Sequence, residues 1–507
     1  MREKDSPLAL LVQPPVYDFA LYDLYLKPYG LLRIGRWLAE GGWEVVFVNG
    51  LQYPSGSYQG GPRPPKRKPD GTGKFNRHPI ETPKVLEPLL RPRIDRGEWK
   101  KHFARYGVPE EDFRSMIQHL RGEYWAGIGC PRQAHPSTPE RGISSMQLEE
   151  FLPVSEFKAM PVAGRSPDLV LIGTGMTYWY LGVKEAVRIC REEHPKSLLL
   201  VGGIYATLMP EHCARITSPD GVIVGEDFSL LQGLLEKRGF PVPPLPLPNR
   251  PIPFPGVFKD AGVLRLNTGC PLRCSYCASR TLTPIFRPGD PDGAWEAFRE
   301  LYEGCGTRNF AFYDDALLYR KEEVLQPFLE RVIGLKDPTI RFYLPNGVHV
   351  SALDRKTAQL MKRAGVVEIR MGLESASEEF HRRYDGKVEV EQFLQGVSIL
   401  KQAGYDAQDI SVYLLAGLPG QGAEEVEASI RFVQATGVRM RLAEYSPVPS
   451  THLWGESLRA CSFPLEEEPL FHNNSLFSME WEGFPYRKLL ELKRLAREGF
   501  GQLQESF

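Results

Sequence analysis

Asn267-Thr268-Gly269-Cys270-Pro271-Leu272-Arg273-Cys274-Ser275-Tyr276-Cys277 is the stretch on which the reading of this chain turns. It follows a short apolar run, 263–267, that reads as a β-strand. Three cysteines spaced C-x3-C-x2-C on one loop can hold three irons of a cubane cluster, one thiolate each. The fourth iron is then open to an external chelator. A structural zinc site needs four ligands, and no fourth Cys or His lies within the loop. The expected metal ligands are therefore Cys270, Cys274 and Cys277.

Outward from this loop, strand and helix signals alternate. Runs at 263–267, 309–313, 340–343, 368–373, 410–415 and 439–444 read as strands, and 322–333, 355–364, 391–403 and 424–435 as helices. Six such units predict a partial (β/α)6 barrel over 257–450, two units short of the full eight, with its chemistry at the carboxyl ends of the strands. Phe312-Tyr313-Asp314-Asp315 closes the second strand with two carboxylates that either meet a substrate or hold a loop. Leu344-Pro345-Asn346-Gly347 reads as a turn after the third strand, with Asn346 a candidate polar contact. Met371-Gly372-Leu373-Glu374-Ser375 closes the fourth strand, and Ala416-Gly417-Leu418-Pro419-Gly420 follows the fifth.

At these residues the chain resembles the radical S-adenosylmethionine superfamily, which carries this cysteine spacing with an aromatic residue before the last cysteine, here Tyr276. The resemblance covers 257–450. It implies a [4Fe–4S] cluster whose open iron is chelated by the amino and carboxylate groups of S-adenosylmethionine (SAM). It implies cleavage of the sulfonium to methionine and a 5′-deoxyadenosyl radical that abstracts hydrogen. It also implies SAM contacts at Tyr276, at Glu374 and Ser375 toward the methionine or ribose, and at Gly417 and Gly420 against the adenosine. An electron donor such as flavodoxin or ferredoxin belongs to the same picture.

Upstream, 8–12, 45–48, 168–172, 197–201 and 221–224 are short strands, mostly apolar on both faces, with helices at 29–40 and 181–193. They predict a doubly wound, Rossmann-like parallel sheet over 1–240, broken by an insertion at 51–165. Gly173-Thr174-Gly175-Met176-Thr177, Val201-Gly202-Gly203-Ile204-Tyr205-Ala206-Thr207 and Val224-Gly225-Glu226-Asp227 fall at the carboxyl edge, where such sheets bind ligands. Their small residues suit close backbone approach. A doubly wound domain ahead of this barrel resembles that of the cobalamin-binding radical enzymes, whose loops here hold the corrin. The resemblance implies cobalamin contacts at Gly173, Thr174, Gly202, Gly203, Gly225 and Glu226. The D-x-H-x-x-G motif, whose histidine ligates cobalt, is absent: the first strand runs into Pro14-Pro15-Val16-Tyr17-Asp18-Phe19. Cobalamin bound here would have no histidine ligand from that loop.

The remaining features set limits. A chain of 507 residues with an ordinary apolar share folds into two or three domains. A net charge of −1 gives no general pull toward nucleic acid or an anionic membrane. No apolar run is long enough to span a bilayer. Of eight cysteines, Cys130, Cys190, Cys213, Cys305 and Cys461 are scattered, which is no disulfide framework and fits a reducing, cytoplasmic compartment. Cys190 and Cys305 read as core, and Cys130 or Cys461 as an auxiliary ligand at most. His349 and His452 read as ordinary polar residues. The basic run GGPRPPKRKPDGTGKFNRHP within the insertion is a solvated surface or a contact to an anionic partner. The proline-rich linker at 241–256 reads as extended and stiff, and 451–507 as a C-terminal extension with a last amphipathic helix near 486–503. The expected function is a cobalamin-dependent radical SAM methyltransferase acting on an unactivated carbon of a small molecule or peptide. Rearrangement, ring contraction or C–C bond formation is the alternative within the enzyme class. A cluster-bearing binding or sensing protein without turnover is the alternative outside it, and the intact Glu374 and GLPG strings argue against that.

Overall fold

The computed structural model describes residues 6–14, 21–22, 26–50, 77–78, 165–226, 228–461, 464–473, 479, 481 and 483–504. The expected insertion lies outside these apart from Arg77–His78, a two-residue strand antiparallel to Leu21–Tyr22, and Arg165. Cys130, Asp227 and 15–19 also lie outside. Two compact units divide between Ile252 and Pro253.

The first unit holds strands β1 (Leu8–Gln13), β2 (Glu44–Asn49), β3 (Leu169–Thr174), β4 (Leu198–Gly203) and β5 (Gly221–Ile223). All run parallel in the order β2-β1-β3-β4-β5. Every residue of β1 is buried, as a central strand covered on both faces requires. The strand order reverses direction at β1/β3, the place where doubly wound sheets of this order bind ligands. Helix Tyr29–Glu40 packs Leu31, Leu32, Trp37 and Leu38 onto the sheet.

The proline-rich segment is extended but not a free spacer. Prolines have no N–H, yet their carbonyls still need donors. Side chains of the first helix and its exit supply them. Trp37 Nε1 donates to the Pro244 carbonyl (2.8 Å), Arg33 Nε to Pro248 (2.8 Å), Arg36 Nε to Pro251 (3.0 Å) and Trp43 Nε1 to Pro241 (3.0 Å).

The second unit holds β6 (Gly262–Leu264), β7 (Asn309–Phe312), β8 (Arg341–Tyr343), β9 (Ile369–Glu374), β10 (Ile410–Ala416) and β11 (Arg439–Glu444). They are parallel, in two three-stranded sheets rather than one of six: β8-β7-β6 and β9-β10-β11. Among the described residues two isolated bridges, Phe342 to Val366 just ahead of β9 and Val348 to Met371 within it, join the two series. β6 stops at Leu264, short of the expected 267, because the N–H groups of Leu266 and Asn267 turn to a side chain instead of the ladder. Along β9, Ile369, Met371 and Leu373 are buried while Arg370, Gly372 and Glu374 take the opposite face. The last helix, Tyr486–Gln504, packs against helix Ala423–Thr436, and Lys493 pairs with Glu444 at the end of β11.

Candidate active site

The cysteine loop is held in shape by its neighbours. Asp314, buried just past β7, accepts the N–H groups of Leu266 (3.0 Å) and Asn267 (2.6 Å) and so fixes the chain as it leaves β6. Of its two expected roles, Asp314 therefore plays the loop clamp. Burial pushes its carboxyl up to about 7 against the pull of those N–H bonds. Asp315, half-buried, faces Ser279 and the Cys270 thiol instead. Gly269 has φ near 76°, and a Cβ there would lie 2.9 Å from the Ile285 carbonyl oxygen, so only glycine fits. Beyond Cys274, the Ser275 N–H donates to the Tyr384 carbonyl (2.7 Å), and the Ser275 carbonyl accepts from Leu453 (3.0 Å). The Tyr276 hydroxyl donates to Asp385 Oδ2 at 2.7 Å.

Cys270 is buried, Cys274 half-buried and Cys277 exposed, and all three are free thiols. Burial pushes the Cys270 thiol up, and that of Cys274 up to about 12 despite the nearby Lys387 ammonium. Thiols held this high keep their protons until a metal replaces them. Among the described residues no three His, Cys, Asp or Glu side chains converge on a single ion. A cubane asks for something else, one thiolate per iron, and three thiols on one braced loop suit it.

Glu374 sits at φ 65°, in the left-handed region that a side chain rarely adopts. The Ser375 N–H donates to the Leu373 carbonyl (2.8 Å) and closes a three-residue turn around it, and the register with β10 slips there. Strain of this kind persists only where the surroundings enforce it. Lys387 supplies part of the enforcement: its side chain is 8% exposed and its ammonium pairs with Glu374. Burial works against that ammonium, but Glu374 and Asp385 hold its pKa above the ordinary lysine value. The Ser375 hydroxyl is committed to protein partners, Glu425 at 3.0 Å and Ser429 at 3.1 Å, and accepts the Ser377 N–H. It braces the turn from behind.

Gly417 (φ 90°) and Gly420 (φ 79°) shape the next turn. Gln421 accepts the N–H groups of Gly417 and Leu418 and donates to the Leu415 carbonyl, and the Tyr384 hydroxyl donates to the Pro419 carbonyl (2.8 Å). A Cβ at Gly417 would look toward Met479 and Phe484 of the C-terminal extension at van der Waals distance. His349 follows the β8 turn with its ring edge-on to Tyr319 (5.4 Å). Burial, reinforced by Lys387, lowers its pKa to about 4, so it is neutral, and its Nδ1 is buried without a hydrogen-bond partner. Asn346 donates to the Asp314 carbonyl and so belongs to the clamp.

The sequence reading missed Lys387, Asp385, His381, Tyr384 and Gln421. All follow a recognised strand-end string within fourteen residues, in the segments HRRYDGK and GLPGQ. The i,i+4 spacing of His381 and Asp385 was the available signal. Of the scattered cysteines, Cys190 and Cys213 are buried, with burial pushing their thiols up to about 12 and about 11. Cys305 is half-buried rather than core. Cys461 packs, half-buried, against the apolar cluster of Phe380, Tyr384 and Leu418 that Tyr276 also touches.

In the first unit, Thr174 Oγ1 accepts the Ala206 N–H (3.2 Å), and Thr207 Oγ1 the Gly225 N–H (2.9 Å). The expected glycines divide into two groups. A Cβ at Gly173 would meet Leu31 at 3.2 Å, one at Gly202 would meet Ile223 at 3.3 Å, and one at Gly203 would lie 2.4 Å from the Thr174 carbonyl oxygen. Those three serve the sheet's own packing. Gly225, at φ 62°, has nothing within 4 Å of its missing Cβ. Glu226 beside it is 3.5 Å from Arg33. Met176 (43%) and Val224 (45%) are exposed apolar residues on the same strand-end loops.

Residues 264–433 match the model of the Radical SAM superfamily. The chain is 23% identical over 426 residues to an uncharacterised methyltransferase of Pyrococcus horikoshii, spanning 77% of this chain and 88% of that one. It is 20% identical over 329 residues to an anaerobic magnesium-protoporphyrin IX monomethyl ester cyclase of Rubrivivax gelatinosus, spanning 57% and 58%. Its fold is similar to that of the radical SAM methyltransferase TsrM from Kitasatospora setae, solved with tryptophan substrate and a SAM analogue (TM-score 0.60, 15% identity, 97% of this chain and 89% of that one). It is also similar to the cobalamin-dependent SAM radical enzyme OxsB (TM-score 0.52, 12% identity, 97% and 62%). The cysteine loop, the ordered strand-end turns and the family match agree: residues 264–433 are a radical S-adenosylmethionine domain, and the chain is a radical SAM enzyme.

Proposed function

We propose that this enzyme is a cobalamin-dependent radical SAM methyltransferase acting on an unactivated carbon of a small molecule. The observation that carries the reading is the carboxyl edge of the N-terminal sheet. There Gly225 is open above its missing Cβ, and Met176 and Val224 present apolar surface beside it. A corrin is broad, flat and largely apolar, and such an edge suits it. Likeness of fold to the cobalamin-bound form of TsrM, with a TM-score of 0.59, supports the same reading. Gly173, Gly202 and Gly203 would then shape the edge, and Gly225 would meet the ligand. No histidine from the loop after β1 would reach cobalt.

When bound, the cluster and SAM supply hydrogen abstraction, and cobalamin supplies a methyl carrier. The chain's own part is to hold and orient. Cys270, Cys274 and Cys277 hold the cluster. Glu374 presents a carboxylate to the methionine or ribose end of SAM. Gly417 would leave backbone bare for the adenosine, whereas the space beside Gly420 is filled by the Arg383 guanidinium, 2.9 Å from where a Cβ would stand. Tyr276 packs beneath the loop, and Met479 and Phe484 cover the Gly417 turn against water. A low-potential donor of the flavodoxin or ferredoxin kind would reduce the cluster. Among the described residues no helix is long and apolar enough to cross a membrane.

Anaerobic turnover with hydroxocobalamin, SAM, reductant and extracts of the source organism tests the reading. Methyl transfer from SAM releases S-adenosylhomocysteine, and the protein should retain cobalamin through gel filtration. Formation of 5′-deoxyadenosine with no S-adenosylhomocysteine would replace methyl transfer by C–C bond formation, the second reading, which the stretch shared with the cyclase favours.

A further inference from the structure

Tyr276 and Asp385 lie 109 positions apart, yet their side chains meet in a hydrogen-bonded chain that ends beside Glu374. The Tyr276 hydroxyl donates to Asp385 Oδ2 (2.7 Å). Asp385 Oδ1 lies 2.8 Å from His381 Nδ1 and also accepts the Lys387 N–H (3.2 Å). His381 Nε2 lies 2.8 Å from the Ser375 carbonyl oxygen. A carbonyl only accepts, so Nε2 carries a proton. The Asp385 side chain is fully enclosed and takes donors on both oxygens. Burial works against its charge, but His381, Lys387 and Tyr276 hold its carboxyl below the usual range, so Nδ1 carries a proton too.

We propose that His381 is a positioning residue: an imidazolium donating from both ring nitrogens, it ties the cysteine loop to the turn that aims Glu374 at SAM. The inference rests on the placement of SAM at Glu374 given above. A neutral imidazole has one proton and can serve only one of the two acceptors. Losing the other bond frees either Asp385, and with it Tyr276 in the cysteine loop, or the Ser375 carbonyl next to the strained Glu374. The Lys387 pair with Glu374 restrains the carboxylate but not the peptide behind it, so it does not duplicate the histidine.

The groups facing His381 are Asp385 on its own helix turn, the Ser375 carbonyl from the end of β9, Lys387 from the segment after the helix and the Phe380 ring. Through Asp385 it reaches Tyr276, and through Lys387 it reaches Glu374, Cys274 and His349. Burial lowers the pKa of His381, while Asp385 and the Ser375 carbonyl raise it further against Lys387, so its net value is above the ordinary one. The protonated form, and the SAM affinity that depends on it, is complete at low pH and lost as pH rises through that raised value.

The test measures SAM dissociation constants for reconstituted holoenzyme by anaerobic equilibrium dialysis over roughly pH 6 to 9, where a histidine titrates. Wild type, H381Q, D385N and E374A are compared, with iron content as the check on the cluster. At the acid end H381Q should bind SAM about tenfold more weakly, the size of one lost charge-assisted hydrogen bond. That ratio should shrink as pH rises. The amino group of SAM titrates in the same range, but it affects both proteins and cancels in the ratio. In D385N the loss of affinity should move to lower pH, because the anion that keeps His381 charged is gone. A ratio independent of pH would overturn the proposal and leave His381 a packing residue. Should H381Q hold no iron, wild type against D385N decides, and superimposable profiles overturn it. E374A with unchanged affinity would instead show that SAM was misplaced, whereas weakened E374A with a flat ratio rejects the histidine tie alone.

Discussion

Replacing Asp314 with alanine should loosen the cysteine loop although the residue lies far from it in the chain. The side chain is 3% exposed, and its two oxygens take the N–H groups of Leu266 and Asn267. Alanine leaves both donors buried with no acceptor. Each such group costs about 1–3 kcal/mol, so the clamp is worth about 2–6 kcal/mol. One term opposes this. Burial raises the folded-state carboxyl pKa to about 7, whereas the unfolded chain keeps the ordinary value near 3.8. A group raised in the folded state contributes stability that is complete below the unfolded pKa and is lost as pH rises through the folded one. Wild type therefore forfeits stability between about pH 4 and 7, on the order of 3 kcal/mol over the upper part of that window, and the alanine variant does not. The deficit of D314A should be larger at pH 5 than at pH 7.5. Urea titration followed through the visible absorbance of the cluster reads it. With a slope of about 3 kcal/mol per molar, a 3 kcal/mol deficit moves the midpoint by about 1 M. A deficit under about 1 kcal/mol at pH 5 would refute the clamp. A deficit that does not change with pH would refute the buried charge.

The cysteine spacing and the order of strand-end strings were legible because each is local: a loop's cysteines and a turn's glycines lie together in the chain. Strand and helix positions were legible for the same reason, since burial on both faces leaves near-continuous apolar runs such as Leu8-Ala9-Leu10-Leu11-Val12. What escaped is what the fold brings together. Nothing near Tyr276 announces that its hydroxyl needs Asp385, and nothing in Ser375 announces that its hydroxyl turns away to Glu425 and Ser429. Glycine was ambiguous in the sequence because a missing side chain suits both a ligand and a neighbouring strand. Only the geometry separates Gly203, crowded by Thr174, from Gly225, which faces open space. The proline-rich segment was legible only in part for a related reason. Its composition describes backbone stiffness but not the Trp37, Arg33 and Arg36 side chains that bind its carbonyls.

Cys274→Ala should leave the reconstituted protein without its full complement of about four irons and abolish SAM cleavage. Full cleavage in that variant would remove the cluster assignment. Because burial raises the Cys270 and Cys274 thiols, both must shed protons for the cluster to form, so reconstitution should accelerate with pH through the alkaline range. A rate independent of pH would mean the thiols are not held as described. The paired changes Gly203→Ala and Gly225→Ala test the first unit. At Gly203, with φ 114°, a methyl group would sit 2.4 Å from the Thr174 carbonyl oxygen and 2.8 Å from its nitrogen. Backbone inside a sheet cannot retreat, so the loss should exceed about 3 kcal/mol and appear as early melting of this unit. At Gly225 a methyl group meets nothing, and the positive φ alone costs about 1–2 kcal/mol. That variant should fold, yet it places a methyl group where the corrin would approach, so hydroxocobalamin should leave it on gel filtration. Equal retention by G225A and wild type would place the corrin away from Gly225, and wild-type stability in G203A would contradict the close approach of β3 and β4 itself.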